Sequence, residues 1–339
     1  MITKVIREEL VLKTRKVIDH HHRFVIVAHV SPDGDAMGSS LALCLFLREL
    51  GKEASVVLPD SISDNLRWLP GAAEAFIFDE QADVASEVIA DAEVIFCVDF
   101  NGVKRMGRMG ELVAKAKAVR IMIDHHLYPE PFCDVCISHP EISSTSELVF
   151  RLICRMGCVE MLTPEIATAV YTGMMTDTGA FTYNSGSPEI YLIIAELLKV
   201  GINKDKIYDR VFNTFSADRE RLMGYTINRK MHIFDPYGAA MISLTRDELK
   251  AYNYRKGDTE GFVNIPLSIK GVVFSAFFRE EEEYVKVSLR SKGDFPANLV
   301  AERYFNGGGH KNAAGGEFFG TLTEAEALLA SVLPEFFNQ

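Results

Sequence analysis

A histidine and two aspartates follow the apolar run FVIVA in the stretch HVSPDGDAMGSS, residues 29–40. His29, Asp33 and Asp35 therefore lie where a predicted buried strand ends and a helix begins. Carboxylates crowded at such a point repel each other unless a cation lies between them. We expect a divalent cation here, although the same aspartates could simply cap the following helix.

Two later apolar runs end in the same kinds of side chain. VIFCVD ends in Asp99, and VRIMIDHH ends in Asp124, His125 and His126, while Asp177 in GMMTDTG closes an apolar helical segment. In an open α/β sheet, ligands bind beyond the carboxyl ends of the strands, so these side chains should meet at one edge. We therefore predict a metal centre at that edge.

The kinds of ligand indicate the ion. Imidazole and carboxylate oxygen without thiolate suit Mn²⁺ or a similar ion, with Mg²⁺ and Co²⁺ as the other candidates. The candidate ligands outnumber those that one octahedral ion accepts. We therefore expect two ions that share Asp99 as a bridging carboxylate, an arrangement typical of phosphoester hydrolysis.

The letters DHH do not define such a site by themselves, because the chain carries them twice. Asp19 and His20–His22 spell the same tripeptide at the end of a charged amphipathic segment. That copy should be a solvated surface. Asp124–His126 differ because they follow a buried strand.

The elements that must position these residues have an α/β pattern. From residue 24 to about 125, short Val- and Ile-rich runs alternate with helical segments, which predicts a mostly parallel, doubly wound sheet. Residues 143–212 are expected to be helical. SSTSELVF begins with a Ser/Thr cap and a Glu in capping-box spacing, and Thr163 and Pro164 begin the next helix.

The later part of the chain predicts a second domain. Helices over 187–201 and 203–231 should form a connector, and strands with a few helices follow. We expect a catalytic domain over residues 1–185, a helical connector over 186–233 and a smaller α/β domain over 234–339. The acidic run EEEE at 280–283 should be a hairpin turn.

A glycine-rich segment in this second domain, NGGGHKNAAGG, could bind an anion. Gly308 and Gly309 leave backbone N–H groups available, and His310 and Lys311 add side-chain donors. Arg290 and Ser291, at the end of a predicted strand, could add further contacts. A flexible glycine loop is the alternative interpretation.

Composition and net charge limit the classes of substrate that the protein could bind. The 339 residues are 48% hydrophobic, and their formal net charge of −11 argues against a protein that coats long duplex nucleic acid. A short anionic substrate remains compatible with this charge.

The N-terminus lacks the apolar centre of a signal peptide, and no membrane segment is expected. The six cysteines predict reduced thiols, and we expect a cytoplasmic protein. Cys133 and Cys136 form a CxxC without a second pair, so a zinc site is not favoured.

The ordered motifs HVSPDGDAMGSS, VDF, IDHH, SSTSELV and TDTGAF resemble the DHH phosphoesterases, and GGGHKNAAGG resembles their DHH-associated C-terminal domain. The resemblance covers nearly the whole chain. Within the family, the chain is similar in its length and its absence of added domains to the short-oligonucleotide phosphodiesterases. Those enzymes also act on 3'-phosphoadenosine 5'-phosphate (pAp).

The resemblance implies a role for each site residue. His29, Asp33 and Asp99 would bind one metal ion, and the second would be bound by the set Asp35, Asp99, His125 and Asp177. Asp124 would orient a histidine. His126 would face the scissile phosphate, although the division of roles between His125 and His126 stays open. The C-terminal domain would bind the terminal phosphate and base of the substrate.

The implied reaction is attack by a hydroxide that bridges two metal ions. It would degrade oligonucleotides of two to five nucleotides to mononucleotides, remove the 3'-phosphate of pAp, or do both. Three alternatives stay open: a linear or cyclic dinucleotide phosphodiesterase, a pyrophosphatase or exopolyphosphatase, and a nucleotide sensor without enzymatic activity. A homodimer is also left open.

Overall fold

The computed structural model of the protein describes residues 4–337, and the chain divides after Thr214 into two compact units. Each unit contains one six-stranded sheet. Over residues 4–337, none of the helices combines the length and the apolar character needed to span a bilayer.

The sheet of the first unit is parallel throughout, with strand order β3-β2-β1-β4-β5-β6. Its strands are β1 (Arg23–Val27), β2 (Glu53–Leu58), β3 (Phe76–Ile77), β4 (Val94–Val98), β5 (Val119–Asp124) and β6 (Val135–Ser138). The order reverses between β1 and β4. In doubly wound sheets, this switch point leaves a crevice beyond the carboxyl ends of the strands.

Both faces of this sheet are buried, as the continuous apolar runs predict. Phe24 and Ile26 of β1 belong to one core cluster, while Val25 and Val27 belong to another on the opposite face. The helices of the unit are α1 (Glu8–His20), α2 (Gly34–Glu49), α3 (Ala82–Asp91), α4 (Gly110–Lys115), α5 (Thr145–Arg155), α6 (Pro164–Asp177), α7 (Pro188–Lys199) and α8 (Lys204–Phe212). The prediction of a doubly wound α/β unit is confirmed.

Helices α2 and α6 pack unusually closely, and two glycines permit it. A Cβ on Gly38 would lie 2.6 Å from the carbonyl oxygen of Ala169 and 2.8 Å from the backbone nitrogen of Gly173. The close packing fixes the end of α6, and with it Asp177, against helix α2, which Asp33 caps.

The helix starts follow the capping residues. Ser144 Oγ accepts from Glu147 N at the start of α5, and Thr163 caps α6 with Pro164 at its first position, as predicted. The expectation of one helix over 203–231 is wrong. Helix α8 ends at Phe212, and Ser216 caps a new helix, α9 (Ala217–Tyr225), because its Oγ accepts from Arg219 N.

The sheet of the second unit is mixed, with order β11-β12-β10-β9-β8-β7, and only β8 and β9 pair in parallel. Its strands are β7 (Met231–Phe234), β8 (Ala239–Leu244), β9 (Phe274–Glu280), β10 (Val285–Ser291), β11 (Gly308–His310) and β12 (Ala313–Phe318). The remaining helices are α10 (Arg246–Ala251), α11 (Ala297–Tyr304) and α12 (Leu322–Phe337). The second α/β domain is confirmed, and EEEE connects β9 to β10 as expected.

The glycine-rich segment is a hairpin rather than a flexible loop. Gly308, Gly309 and His310 pair with Gly315, Ala314 and Ala313. The close pairing explains the glycines, because a Cβ on Gly309 would lie 2.5 Å from the carbonyl oxygen of Ala313 and its φ is +139°.

Candidate metal centre

The candidate residues of the first unit lie together at the carboxyl edge of its sheet. His29 follows β1, Asp99 follows β4, and Asp124 is the last residue of β5. Asp35 lies in the first turn of α2 and Asp177 at the end of α6. The crevice at the switch point is therefore lined by acidic and imidazole groups.

Asp99 lies at the centre of this set. Its Oδ2 is 3.5 Å from His29 Nε2, and its Oδ1 is 3.6 Å from His125 Nε2. The backbone of Asp99 has a φ of +64°, a left-handed conformation that aspartate adopts more readily than most residues. The two carboxylate oxygens thus face two different histidines.

The side chains form two groups around Asp99. In one group, ligand atoms of His29, Asp33 and Asp99 all lie within 4.8 Å of one another. In the other group, ligand atoms of Asp35, His125 and Asp177 also lie within 4.8 Å of one another. A third group overlaps these and consists of Asp99, Asp124 and His126.

Each histidine of the centre has a hydrogen-bond partner for one ring nitrogen. His29 Nδ1 lies 2.7 Å from Val30 O, and His125 Nδ1 lies 3.2 Å from Ile142 O. A carbonyl can only accept, so both rings carry their proton on Nδ1 and turn Nε2 toward the carboxylates. Histidine ligands of metals are commonly oriented in this way.

His126 differs from the other two because its partner is a carboxylate. Its Nδ1 lies 2.7 Å from Oδ1 of Asp124, a buried side chain. Because a carboxylate accepts, this contact keeps the proton of His126 on Nδ1. Burial alone would raise the pKa of Asp124, but the hydrogen bond and charge of His126 lower it below the usual value.

Asp33 combines the two roles that the sequence left open. Its Oδ1 accepts from the backbone N–H groups of Asp35 and Ala36, both at 3.0 Å, and so caps α2. Its Oδ2 lies 3.9 Å from His29 Nε2. The capping contact therefore orients the carboxylate toward the cluster rather than competing with that position.

Thr145 and Ser146 belong to the centre, although the sequence predicts a helix start in SSTSELV and places this segment among the family motifs without giving either residue a role in the site. The backbone N–H groups of Thr145 and Ser146 donate to Asp35 Oδ2 and Oδ1, at 2.6 and 2.9 Å. Thr145 Oγ1 donates to Asp99 Oδ1 at 2.9 Å. The sequence signal that could have indicated this role was the place of SSTSELV among the ordered family motifs.

The electrostatics of the cluster favour a cation. Burial, together with the charges of Asp35 and Asp33, holds the pKa of Asp99 well above the usual aspartate range. Burial also raises the pKa of Asp35, against the opposing effect of His125. Such carboxylates ionise readily only when positive charge is supplied.

The pKa values of the two histidines, His29 and His125, are shifted in opposite directions. Burial lowers the pKa of His29, which keeps the ring neutral and able to donate a lone pair. Burial acts to lower the pKa of His125 too, but the charges of Asp177 and Asp35 outweigh it, and the net shift is upward. The carboxylates therefore have a larger net effect on the pKa of His125 than on that of His29.

The residues present fit divalent cations. Asp124 Oδ2 is buried and has no hydrogen-bond partner within residues 4–337, so the cluster contains an acceptor that the protein does not satisfy. The donors are oxygen and imidazole nitrogen, which suit Mn²⁺ and Mg²⁺. Chemically, such a centre can polarise a phosphoryl oxygen and activate water.

The candidate anion-binding residues of the second unit lie on neighbouring strands. Arg290 pairs with Ala313 across β10 and β12, and Ala313 pairs with His310 of β11. Lys311 Nζ lies 2.7 Å from Asp294 Oδ1 at the exposed end of the hairpin. The strand pairing therefore brings Arg290 and His310 to the same end of the sheet.

Ser291 already has two partners in the protein. Its Oγ donates to Phe295 O at 2.7 Å and accepts from Asn312 Nδ2 at 2.8 Å. These contacts connect β10 to the turn between β11 and β12. Ser291 thus stabilises the hairpin that presents Gly308 and Gly309.

The two sequence features that we set aside lie outside these clusters. His20 and His22 are exposed, as expected for the first DHH copy, whereas His125 is buried. Cys133 and Cys136 do not join any metal-ligand group within residues 4–337. All six cysteines are free thiols.

Comparison with known proteins identifies the family. The model of the DHH family, N-terminal domain, matches residues 23–174, and that of the DHHA1 domain matches residues 241–337. Two curated relatives are named bifunctional oligoribonuclease and PAP phosphatase NrnA. The one from Thermus thermophilus is 33% identical over 86% of this chain and 82% of its own, and the one from Bacillus subtilis is 26% identical over 94% and 96%.

Solved structures agree on the fold. A crystal structure described as an exopolyphosphatase-related protein from Bacteroides fragilis has a TM-score of 0.95, with 52% identity over 99% of both chains. RecJ from Thermus thermophilus in complex with Mn²⁺ has a TM-score of 0.56 at 15% identity, covering 98% of this chain and 54% of that one, a likeness of fold alone. The chain belongs to the DHH family, carries a DHHA1 domain and is a phosphodiesterase or phosphatase, a hydrolase of phosphoester bonds.

Proposed function

We propose that the protein degrades oligonucleotides of a few residues to mononucleotides and removes the 3'-phosphate of pAp. The observation that carries this proposal is the cluster of buried carboxylates and imidazoles at the switch point of the sheet. Its support from the comparisons is that relatives similar over most of the chain are named for both activities.

The two halves of the cluster would hold two divalent cations, for which we propose Mn²⁺. His29, Asp33 and Asp99 would hold one, and the second would be held by the set Asp35, Asp99, His125 and Asp177. When bound, the cations would supply Lewis-acid polarisation of the phosphate and a lowered pKa of water. Asp99 is the proposed shared ligand because its two oxygens face His29 and His125 separately.

The protein's own residues would orient the reacting groups. Asp124 holds His126 through Nδ1, and we propose that Nε2 approaches a phosphate oxygen when substrate binds. A protonated His126 would neutralise charge on that oxygen or give its proton to the leaving group. Thr145 would keep Asp99 in position through its hydroxyl.

The second unit would bind the remaining part of the substrate. We propose that Arg290, His310 and Lys311 contact its terminal phosphate, and that backbone N–H groups of Gly308 and Gly309 assist. Ser291 would act through the hairpin that it stabilises. A requirement for such a contact would limit the enzyme to short substrates.

The test is turnover by the purified protein in Mn²⁺. Substrates are a 5'-phosphorylated RNA dinucleotide, pAp, a cyclic dinucleotide and pyrophosphate, each repeated with His125→Ala and His310→Ala. His20→Ala is the matched control, since His20 holds the corresponding position in the exposed DHH copy. We expect hydrolysis of the first two, abolished by H125A, weakened by H310A and unchanged by H20A.

Other outcomes would separate the alternatives. Cleavage of pyrophosphate alone would favour polyphosphate chemistry, which the description of the Bacteroides fragilis relative makes worth testing. Cleavage of the cyclic dinucleotide alone would indicate a cyclic-dinucleotide phosphodiesterase. Binding without turnover of any substrate would contradict an enzyme and favour a sensor. The free thiols support our proposal that the protein acts in the reducing cytoplasm.

A further inference from the structure

A buried ionic network next to the metal-centre residues joins helices α5 and α7. Arg151 Nε donates to Glu147 Oε1 at 2.8 Å, and Arg151 Nη2 lies 2.7 Å from Glu189 Oε2. The side chains of Arg151 and Glu147 are only 3% and 2% exposed. Burying such charges costs free energy even when they are paired, so stability alone is a weak reason for the network.

Glu147 connects Arg151 to the first turn of α5. One oxygen of Glu147 contacts Arg151, while the other accepts from Ser143 Oγ at 2.5 Å and from Ser143 N at 3.3 Å. The backbone N–H of Glu147 donates to Ser144 Oγ at 3.1 Å. Residues on both sides of the helix start are thereby fixed by Glu147.

That helix start is the part of the protein that orients two candidate metal ligands. The N–H groups of Thr145 and Ser146 occupy both oxygens of Asp35, and the Thr145 hydroxyl holds Asp99. A shift of the turn by a fraction of an ångström would therefore move both carboxylates. The network has a direct chain of contacts to the metal centre: Arg151 to Glu147, Glu147 to the turn, and the turn to Asp35 and Asp99.

We propose that Arg151, with Glu147 and Glu189, is a positioning residue of the metal centre, an inference that rests on the proposed function. Arg151 would act on the cluster through Glu147. It holds the Glu147 carboxylate in one rotamer, so that the turn presents its N–H groups to Asp35. Residues that orient metal ligands commonly change affinity or activity by about 10- to 100-fold when they are removed.

The experiment compares Arg151→Met with Arg155→Met. Arg155 lies one turn further along the same helix, where its Nη2 pairs with Glu8, and it is absent from the chain of contacts. Mn²⁺ affinity is measured by titration calorimetry, and kcat and KM for pAp are measured separately. We expect R151M to weaken Mn²⁺ binding about 10-fold or more and to lower kcat at saturating Mn²⁺, with KM little changed, while R155M alters neither.

Two further variants keep the test decisive. Arg151→Lys retains the charge and should restore much of the Mn²⁺ affinity, which a loss of packing alone would not explain. If R151M does not fold, Glu189→Gln is the substitute, because Glu189 is more exposed at 18% and its loss leaves the Arg151–Glu147 pair intact. We expect E189Q to weaken Mn²⁺ binding several-fold.

Unchanged Mn²⁺ affinity and kcat in a folded R151M, or in E189Q where R151M does not fold, would overturn the positioning role. Equal losses in R151M and R155M would do so too, because they would indicate a general effect on helix α5. Failure of the proposed function is distinguishable, since Mn²⁺ binding is measured without turnover. A wild-type protein that binds Mn²⁺ but cleaves no phosphoester would contradict the function and leave the calorimetric comparison valid.

Discussion

The two candidate binding regions are built on opposite principles. In the first unit, buried carboxylates such as Asp35 and Asp99 are forced together by strands, helix ends and backbone N–H groups. In the second, exposed cations such as Lys311 stand on a two-stranded hairpin, where Lys311 pairs with the exposed Asp294. Burial makes the first region intolerant of change, because displaced charges cannot be solvated. Exposure makes the second adjustable, since water screens its charges.

The largest effect that we expect comes from Asp99→Asn. Substituting the carboxylate that we propose the two cations share should lower kcat by about 100-fold or more, since loss of residues that only orient metal ligands already costs about 10- to 100-fold. Asparagine also tolerates the positive φ of this position, so the fold should persist. Steady-state kinetics in Mn²⁺ measure the change, with Asp19→Asn in the exposed DHH copy as the control. Activity of D99N within a few-fold of the wild type would remove Asp99 from the centre.

The same variant should be more stable than the wild type without metal. Folding raises the pKa of Asp99, so its ionisation costs stability as the pH rises above the unfolded value of about 4, and the cost persists at neutral pH. D99N removes that cost, and its melting temperature in EDTA at pH 7 should exceed that of the wild type by about 2 °C or more. The difference should disappear near pH 4. Added Mn²⁺ should stabilise the wild type more than D99N, and a lower melting temperature for D99N in EDTA would contradict this account.

Gly173→Ala should produce the next largest effect, by overfilling the packed region. An added Cβ would meet Ser146 Oγ and lie 2.7 Å from Asp35 Oδ1. We expect a loss of about 1–3 kcal/mol in the free energy of unfolding, together with weaker Mn²⁺ binding. Denaturant titration and calorimetry measure the two effects. Gly224→Ala is the matched control, because a Cβ on Gly224 of helix α9 meets nothing within 4 Å. G224A should be neutral or slightly stabilising, and equal behaviour of the two variants would contradict tight packing at Gly173.

The hairpin of the second unit should respond more weakly. Lys311→Ala should raise KM for pAp several-fold and leave kcat nearly unchanged, because an exposed cation contributes to binding rather than to chemistry. Lys115→Ala, which removes an exposed lysine paired with Glu111, is the control. A loss of kcat at constant KM would place Lys311 in a different role.

The smallest effect is expected for Asp294→Asn, and its direction is opposite to that expected for Asp99→Asn in the first unit. If Lys311 binds phosphate as proposed, Asp294 would compete for it, so Asp294→Asn should lower KM for pAp about two-fold. Loss of a carboxylate should thus improve substrate binding in the second unit, whereas in the first it should lower kcat. A raised KM in D294N would show that the Lys311–Asp294 pair orders the hairpin instead.

Much of this molecule could be read from local patterns. Apolar runs that end in Asp99 or Asp124 predicted buried parallel strands with polar ends, and the capping residues Ser144 and Thr163 located two helix starts. These features depend on neighbouring residues only. The prediction of one helix over 203–231 is wrong where the local signals are weaker, because Ser216 caps a separate helix, α9, after a break at residues 213–216.

The sequence by itself determined which kinds of side chain reach the strand ends, and therefore that a cation-binding edge should exist. Only the tertiary structure decided how they are held. The hydrogen bond from Thr145 N to Asp35 joins residues 110 positions apart. Asp99 lies between His29 and His125 because of the strand order, which no local pattern encodes. Periodicity and capping act over a few residues, whereas strand order and close helix packing depend on the whole chain at once.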